Sequence, residues 1–345
     1  MLSVAVARPG NVELVDIPKP TPGPYEALIR TEVACLCNAT DGKLVAGHFP
    51  GVEQYPLLLG HESVGIVDAV GEEVRNFKQG DRVVGGLLLN PTDSRYASGW
   101  GGFSEYTLAG DHQAMLADGV ASSEHGWLEV FEIQRVVPPE VRAETAALLC
   151  VWREVYAGFS DFNLQRGDNI LIFGAGAVGL SFTKFAKLLG LGFVGVVDLL
   201  PEKCAMALTQ GADAVFAPGD AAIYELPNKL GKPLDAVIDA VGNENIINAA
   251  LPLIKMAGSV CVYGVIDKPS IVIEKARGPY NFNLYLHQWP TRYRESAAQE
   301  PLCKWITEGK LRPDDFITDD FHVDEISEAL EKAKSGSAVK VLLRF

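Results

Sequence analysis

Residues 169–180 read NILIFGAGAVGL: an apolar run, Asn169–Phe173, ends in Gly174-Ala175-Gly176-Ala177-Val178-Gly179 and continues as a helix candidate, Gly179–Leu189. A bare G-x-G-x-x-G says little in a chain with 34 glycines. Its surroundings say more: a buried strand before, a helix after, a second strand at Phe193–Asp198, and an acid, Asp198, closing that strand. Gly174 permits the tight turn, Gly176 lets backbone approach a pyrophosphate, and Gly179 lets helix and strand pack closely. The first helical N–H groups, around Ala177 and Val178, offer donors and partial positive charge to phosphate. Asp198 accepts hydrogen bonds from the adenosine ribose and repels a 2′-phosphate, which selects NAD over NADP. Lys203, five residues on, is a candidate to lie against the adenine or its ribose. The alternative is a structural glycine turn in an α/β protein that binds no nucleotide.

Outward from this stretch the alternation continues. A helix is expected at Glu202–Gln210, a strand at Ala236–Ala240, a helix at Asn245–Met256 and a strand at Val260–Tyr263. Strands alternating with helices imply a parallel sheet covered on both faces. Upstream, AETAALLCVWREVYAGF (143–159) is a helix candidate. The first third reads as irregular β, with Ala27–Ala34 and Ser63–Val70 between Gly and Pro clusters. The chain ends in a helix within EISEALEKAKSG (325–336) and a strand within AVKVLLRF (338–345). The expected class is α/β: a Rossmann-type dinucleotide-binding domain, residues 152–292, inserted between residues 1–151 and 293–345 of a β-rich domain.

The chain has 345 residues, 48% hydrophobic and 21% charged, which excludes extensive disorder. No apolar run reaches the roughly 18 residues of a membrane span, and MLSVAVARPGNVELVDIP lacks a basic region before an apolar core. A cytoplasmic location is expected. Lys plus Arg is 30 and Asp plus Glu is 44, a formal charge of −14. So acidic a surface is repelled by nucleic acid and anionic membranes, and points to small-molecule chemistry. The six cysteines are sparse and form no C-x-x-C pair, so thiols or metal ligands in a reducing compartment are expected rather than disulfides.

Cys and His are ligands that zinc takes tetrahedrally. Cys35-Leu36-Cys37-Asn38-Ala39-Thr40-Asp41, Gly60-His61-Glu62 and Cys150 are far apart, and each alone is as readily a buried thiol or a core histidine. Together with LLLGHESVGIV (57–67), FKQGDRVV (77–84), GGFSEY (101–106), AALLC (146–150), FGAGAVGL (173–180), VVD (196–198) and SGSAVKVLL (335–343), they carry a resemblance. The chain resembles the zinc-dependent medium-chain dehydrogenase/reductase family of alcohol and polyol dehydrogenases, of the sorbitol dehydrogenase kind, over nearly its whole length.

That resemblance implies a GroES-like catalytic domain around the Rossmann unit and one catalytic zinc held by Cys37, His61 and Cys150. Glu62 would lie beside the metal and exchange with water as a fourth ligand, and Asp41 would orient the ligands. Thr40 would receive the substrate proton, with Lys43 or His48 next in line. Val241 and Gly264 would line the cofactor cleft, and Lys340 would meet the pyrophosphate. Three residues separate Cys37 from Asp41 where relatives have two, which leaves Cys35 as the alternative ligand. The stretch Gly86–Phe103 has no cysteine, so no second, structural zinc is expected.

Glu154 follows Cys150 by four residues and shares its helix face. It is either a surface glutamate or an acid aimed at the metal's water or a substrate hydroxyl. With Asn38, Thr40, Lys43 and Glu62 it argues for a polar secondary alcohol, a polyol or cyclitol, as substrate. The segments 117–134 and 282–296 are read as particular to this chain; His287, Trp289, Arg292 and Arg294 in the second are candidates for a cleft, a cofactor contact or a subunit interface of a homodimer or homotetramer. Two other readings compete: a zinc-free quinone or enoyl reductase of the same superfamily, and a non-catalytic dinucleotide-binding protein.

Overall fold

A computed structural model describes residues 1–266, 268–289 and 291–345. Pro290, within the aromatic and basic segment singled out above, lies outside the described residues. The chain divides into two compact units, Met1–Arg153 with Glu295–Phe345, and Glu154–Arg294.

The amino-terminal part supplies β1 (Leu2–Arg8), β2 (Asn11–Asp16), β3 (Glu26–Leu36), α1 (Thr40–Ala46), β4 (Leu57–Leu58), β5 (Ser63–Val70), β6 (Arg82–Val84), β7 (Ala97–Ser98), β8 (Tyr106–Gly110), α2 (His112–Ala117), β9 (Arg135–Val136) and α3 (Ala143–Asp161). The second unit follows with β10 (Ile170–Phe173), α4 (Ala177–Leu189), β11 (Val194–Val197), α5 (Pro201–Thr209), β12 (Ala214–Phe216), β13 (Leu234–Asp239), β14 (Ile254–Val262) and β15 (Asn283–Leu286). The chain then returns to the first unit with β16 (Ile317–His322) and β17 (Lys340–Arg344).

In the first unit a seven-stranded sheet runs β16-β17-β3-β5-β6-β9, with β8 also on β3, and a smaller one runs β2-β1-β4-β7. Inward-facing Val4, Val6, Leu36, Leu57, Leu59, Val341 and Leu343 meet Phe103 and Leu44 in one core. The second unit is a sheet in the order β12-β11-β10-β13-β14-β15, every pair parallel. Its central strands are buried except at Phe173, which ends β10 half-buried, as expected of strands covered on both faces.

One expected element changes. The helix read over Asn245–Met256 stops at Ala250, a 3₁₀ turn takes Leu251–Leu253, and β14 already begins at Ile254. Pro252 lacks the N–H that a continuing helix needs, so the chain turns early. Met256 is therefore on a strand, and 55% exposed. Among the described residues no helix is long and apolar enough to cross a membrane.

Candidate metal centre and dinucleotide site

Strand register brings distant residues together. β3 and β5 run antiparallel with Ala34 opposite Ser63, so Cys37, just past the end of β3, lies beside His61 and Glu62, just before β5. β17 lies on the other side of β3 with Val341 opposite Leu36, which sets Lys340 at the same corner. Gly60 makes the entry possible: its φ is +102°, and a Cβ there would stand 2.3 Å from the Phe103 ring.

The ligand atoms of Cys37, His61 and Glu62 all lie within 4.8 Å of one another. Asp41, in the first turn of α1, organises two of these residues. Its Oδ2 accepts the Cys37 N–H at 2.8 Å, and its Oδ1 is 3.1 Å from His61 Nδ1. A histidine whose Nδ1 is held by a carboxylate presents Nε2 outward, the arrangement metal-binding histidines use. Burial works against a charge on His61, yet Asp41 and then Cys37 outweigh it and hold the imidazole well above its ordinary pKa. Thiolate, imidazole and carboxylate donors with an acid behind the imidazole fit zinc.

Cys35, the alternative thiol, is fully buried, and burial pushes its pKa up to about 12. It stays a neutral thiol outside the cluster. Cys150, one turn before Glu154 on α3, is buried at 8% exposure and also lies outside the group that meets within 4.8 Å. Thr40 opens α1 and is half-buried, as is Lys43 in the same helix, whereas His48 is exposed.

Lys340 is placed differently from its expected position against a pyrophosphate. It is 3% exposed, and its Nζ lies 2.5 and 2.6 Å from the two oxygens of Glu62, itself 5% exposed. Glu62 therefore shares its charge with a buried ammonium. No spacing rule relates two residues 278 apart, so sequence reasoning missed the pair.

Two aromatic residues were missed as well. The Trp100 ring lies 5.7 Å from the His61 ring and 5.4 Å from Phe49, edge-on to the latter at 83°.

In the second unit, the loop from Gly174 to Gly179 joins β10 to α4 as read. A Cβ on Gly179 would stand 1.8 Å from the Gly174 carbonyl oxygen, so the close packing admits only glycine. A Cβ on Gly176 would meet nothing within 4 Å, which leaves open space at the amino terminus of α4. That open cradle fits a pyrophosphate. Asp198 follows β11; its Oδ2 accepts the Ala175 N–H at 2.6 Å and its Oδ1 accepts the Leu200 N–H at 3.0 Å. Both of its oxygens thus hold backbone, one in the glycine loop and one in the turn that follows β11. Lys203 is buried on α5.

Val241 is 56% exposed after β13, and a Cβ on Gly174 would come 2.9 Å from its Cγ2. Gly264 follows β14 so closely against Gly242 that a Cβ would stand 2.1 Å from the Gly242 nitrogen. Asp239, absent from the sequence reading, ties these loops. Fully buried, it accepts the N–H groups of Val241, Gly242 and Asn243 at 2.9–3.0 Å. An acid ending an apolar strand three residues before a glycine was the available signal. Glu154 Oε2 accepts a hydrogen bond from the Tyr263 hydroxyl at 3.2 Å, and the Tyr263 ring meets Phe182 edge-on at 5.5 Å.

Comparison with known proteins agrees with this architecture. The family model of the alcohol dehydrogenase GroES-like domain matches residues 23–118, and that of the zinc-binding dehydrogenase matches residues 177–285. An alcohol dehydrogenase of Cupriavidus necator is 27% identical, the match covering 96% of this chain and 94% of that one. A sorbitol dehydrogenase of Bombyx mori is 26% identical over 96% of this chain and 95% of its own. Among solved structures, the short chain alcohol dehydrogenase rspB of E. coli CFT073, complexed with NADH, superposes with a TM-score of 0.81 at 21% identity, covering 100% of this chain and 99% of that one. The chain is a member of the zinc-dependent medium-chain dehydrogenase family, an alcohol or polyol dehydrogenase-type oxidoreductase.

Proposed function

We propose that the protein moves hydride between NAD and a polar secondary alcohol, with one zinc per chain at the Cys37 corner. The observation that carries the reading is the Cys37, His61 and Glu62 cluster with Asp41 behind it. Cys37 and His61 would hold the metal with Glu62 beside it, and Cys150 is the further ligand that the family resemblance implies. When bound, zinc acts as a Lewis acid that acidifies the alcohol, and the nicotinamide accepts hydride.

The chain's own residues do the rest. Asp41 fixes the His61 tautomer that leaves Nε2 free to ligate. Lys340 offsets the charge of Glu62 and keeps its carboxylate turned inward. Thr40 takes the substrate proton, and Lys43 passes it on. Glu154, hydrogen-bonded to Tyr263, supplies an acceptor for a substrate hydroxyl. The open backbone at Gly176 receives the pyrophosphate, and Asp198 the adenosine ribose. The edge strand β15, with Leu286 at 51% and nearby Tyr280 at 86% exposure, supports a homo-oligomer.

The test is an NAD⁺-reduction screen of zinc-loaded protein over polyols, cyclitols and simple alcohols. Polyols or cyclitols should give the highest kcat/KM. A higher value for 2-butanol than for every polyol would defeat the polar-substrate reading.

A further inference from the structure

Trp100 has a backbone φ of 69°, in the left-handed region that bulky residues rarely occupy. Both its polar backbone atoms are pinned: its N–H donates to Ser98 Oγ at 3.1 Å, and its carbonyl accepts the Leu88 N–H at 2.8 Å. Surrounding structure thus over-determines a strained conformation, a pattern that concentrates at functional sites. The strain delivers the indole to one place. Its ring lies 5.7 Å from that of His61, tilted by 57°, and 5.4 Å from Phe49 at 83°. Trp100, Phe49 and His61 all remain partly exposed.

We infer that Trp100 and Phe49 form a specificity-determining aromatic corner beside the metal cluster, and that it selects a cyclic secondary alcohol over an open-chain one. The inference rests on the metal-centred alcohol reading above and narrows its substrate class. Two nearly perpendicular rings present a rigid, flat-sided apolar corner. A carbinol within a five- or six-membered ring offers a flat C–H face to such a wall. It also enters with few rotors to freeze, whereas an open-chain polyol loses rotamer freedom at each bond. The polar groups at Thr40 and Lys43 are left to its hydroxyls.

The test compares trans-1,2-cyclohexanediol with 2,3-hexanediol, which match in carbons and hydroxyls and differ in the ring. Zinc-loaded full-length protein with NAD⁺ should favour the cyclic diol by about tenfold or more in kcat/KM. In Trp100→Gly, which suits the positive φ, and in Phe49→Ala the ratio should fall at least fivefold. Saturation-transfer NMR gives a readout independent of turnover: ring protons of the cyclic diol should receive saturation from the wild type and lose it in the variants. A merely structural Trp100 would lower Tm and leave the ratio alone. An unchanged ratio and unchanged saturation transfer in a folded Trp100→Gly or Phe49→Ala that retains zinc overturns the inference; if Trp100→Gly does not fold, Phe49→Ala decides. Turnover of neither diol nor any other alcohol defeats the underlying alcohol reading, while ring saturation lost in the variants still supports the corner.

Discussion

Replacing Lys340 with Met should be among the most damaging single changes in the first unit. The ammonium touches both oxygens of Glu62 at 2.5 and 2.6 Å, with the two side chains 3% and 5% exposed. Methionine keeps the length and removes the charge, leaving a buried carboxylate without its cation. Breaking such a pair by removing one partner costs about 3–5 kcal/mol. In a unit of roughly 200 residues, each kcal/mol moves the midpoint by about 2–4 °C, so Tm should fall by about 6–20 °C. Differential scanning calorimetry with chelator present reads this directly. The double variant Lys340→Met/Glu62→Leu should recover most of the loss, because exchanging a whole buried pair for apolar groups is nearly neutral. Burial opposes the charge on Lys340, but Glu62 and Cys37 outweigh it and raise its pKa. A raised lysine stabilises fully below its unfolded value, near 10.4, and loses that contribution only above it. The deficit of Lys340→Met should therefore be flat between about pH 6 and pH 9. A Tm loss under about 2 °C, or a double variant as unstable as the sum of the singles, would refute the argument.

Asp198→Ser should narrow the NAD⁺ over NADP⁺ preference at least tenfold, read as the ratio of kcat/KM values, and raise KM for NAD⁺ because Ala175 loses its acceptor. Glu154→Gln should lower kcat/KM for polyols and spare that for 2-butanol; an equal loss for both would mean that Glu154 does not read a substrate hydroxyl. Asp111, the cap of α2, accepts four N–H groups from Arg75, Asn76 and Ala114; burial pushes its pKa up, but these bonds prevail and hold it below the ordinary carboxylate range. Its contribution is present above the unfolded value near 3.9 and is lost as pH falls through the folded one, so Asp111→Ala should lose about 1–3 kcal/mol at pH 7, and the gap to wild type should close in acid. Urea unfolding at pH 7 and pH 3 checks it.

What could be read from residues alone was local. Asn169–Gly179 announces strand, turn and helix because an apolar run meets a glycine spacing that only one backbone path satisfies, and Gly179 stands 1.8 Å (as Cβ) from the Gly174 oxygen. Pro252 lay in plain view, yet the apolar pattern of Asn245–Met256 masked the break. α1 is only seven residues long and contains Gly42, too short for periodicity to reveal. The meeting of Lys340 with Glu62, and of Trp100 with His61, depends on strand register and on one strained φ, and neither leaves a mark on neighbouring residues. Cys37, His61 and Glu62 were grouped by resemblance; antiparallel register between β3 and β5 is the physical reason that they meet.

The most direct test of the account is the zinc content of the purified full chain, measured by elemental analysis beside that of Cys37→Ala. The account predicts about one tightly bound zinc per chain in the wild type, lost with NAD⁺-dependent alcohol oxidation in the variant, while NADH binding, followed by its fluorescence, persists in both. Two tightly bound zincs, none, or a Cys37→Ala that keeps its metal and its activity would contradict it.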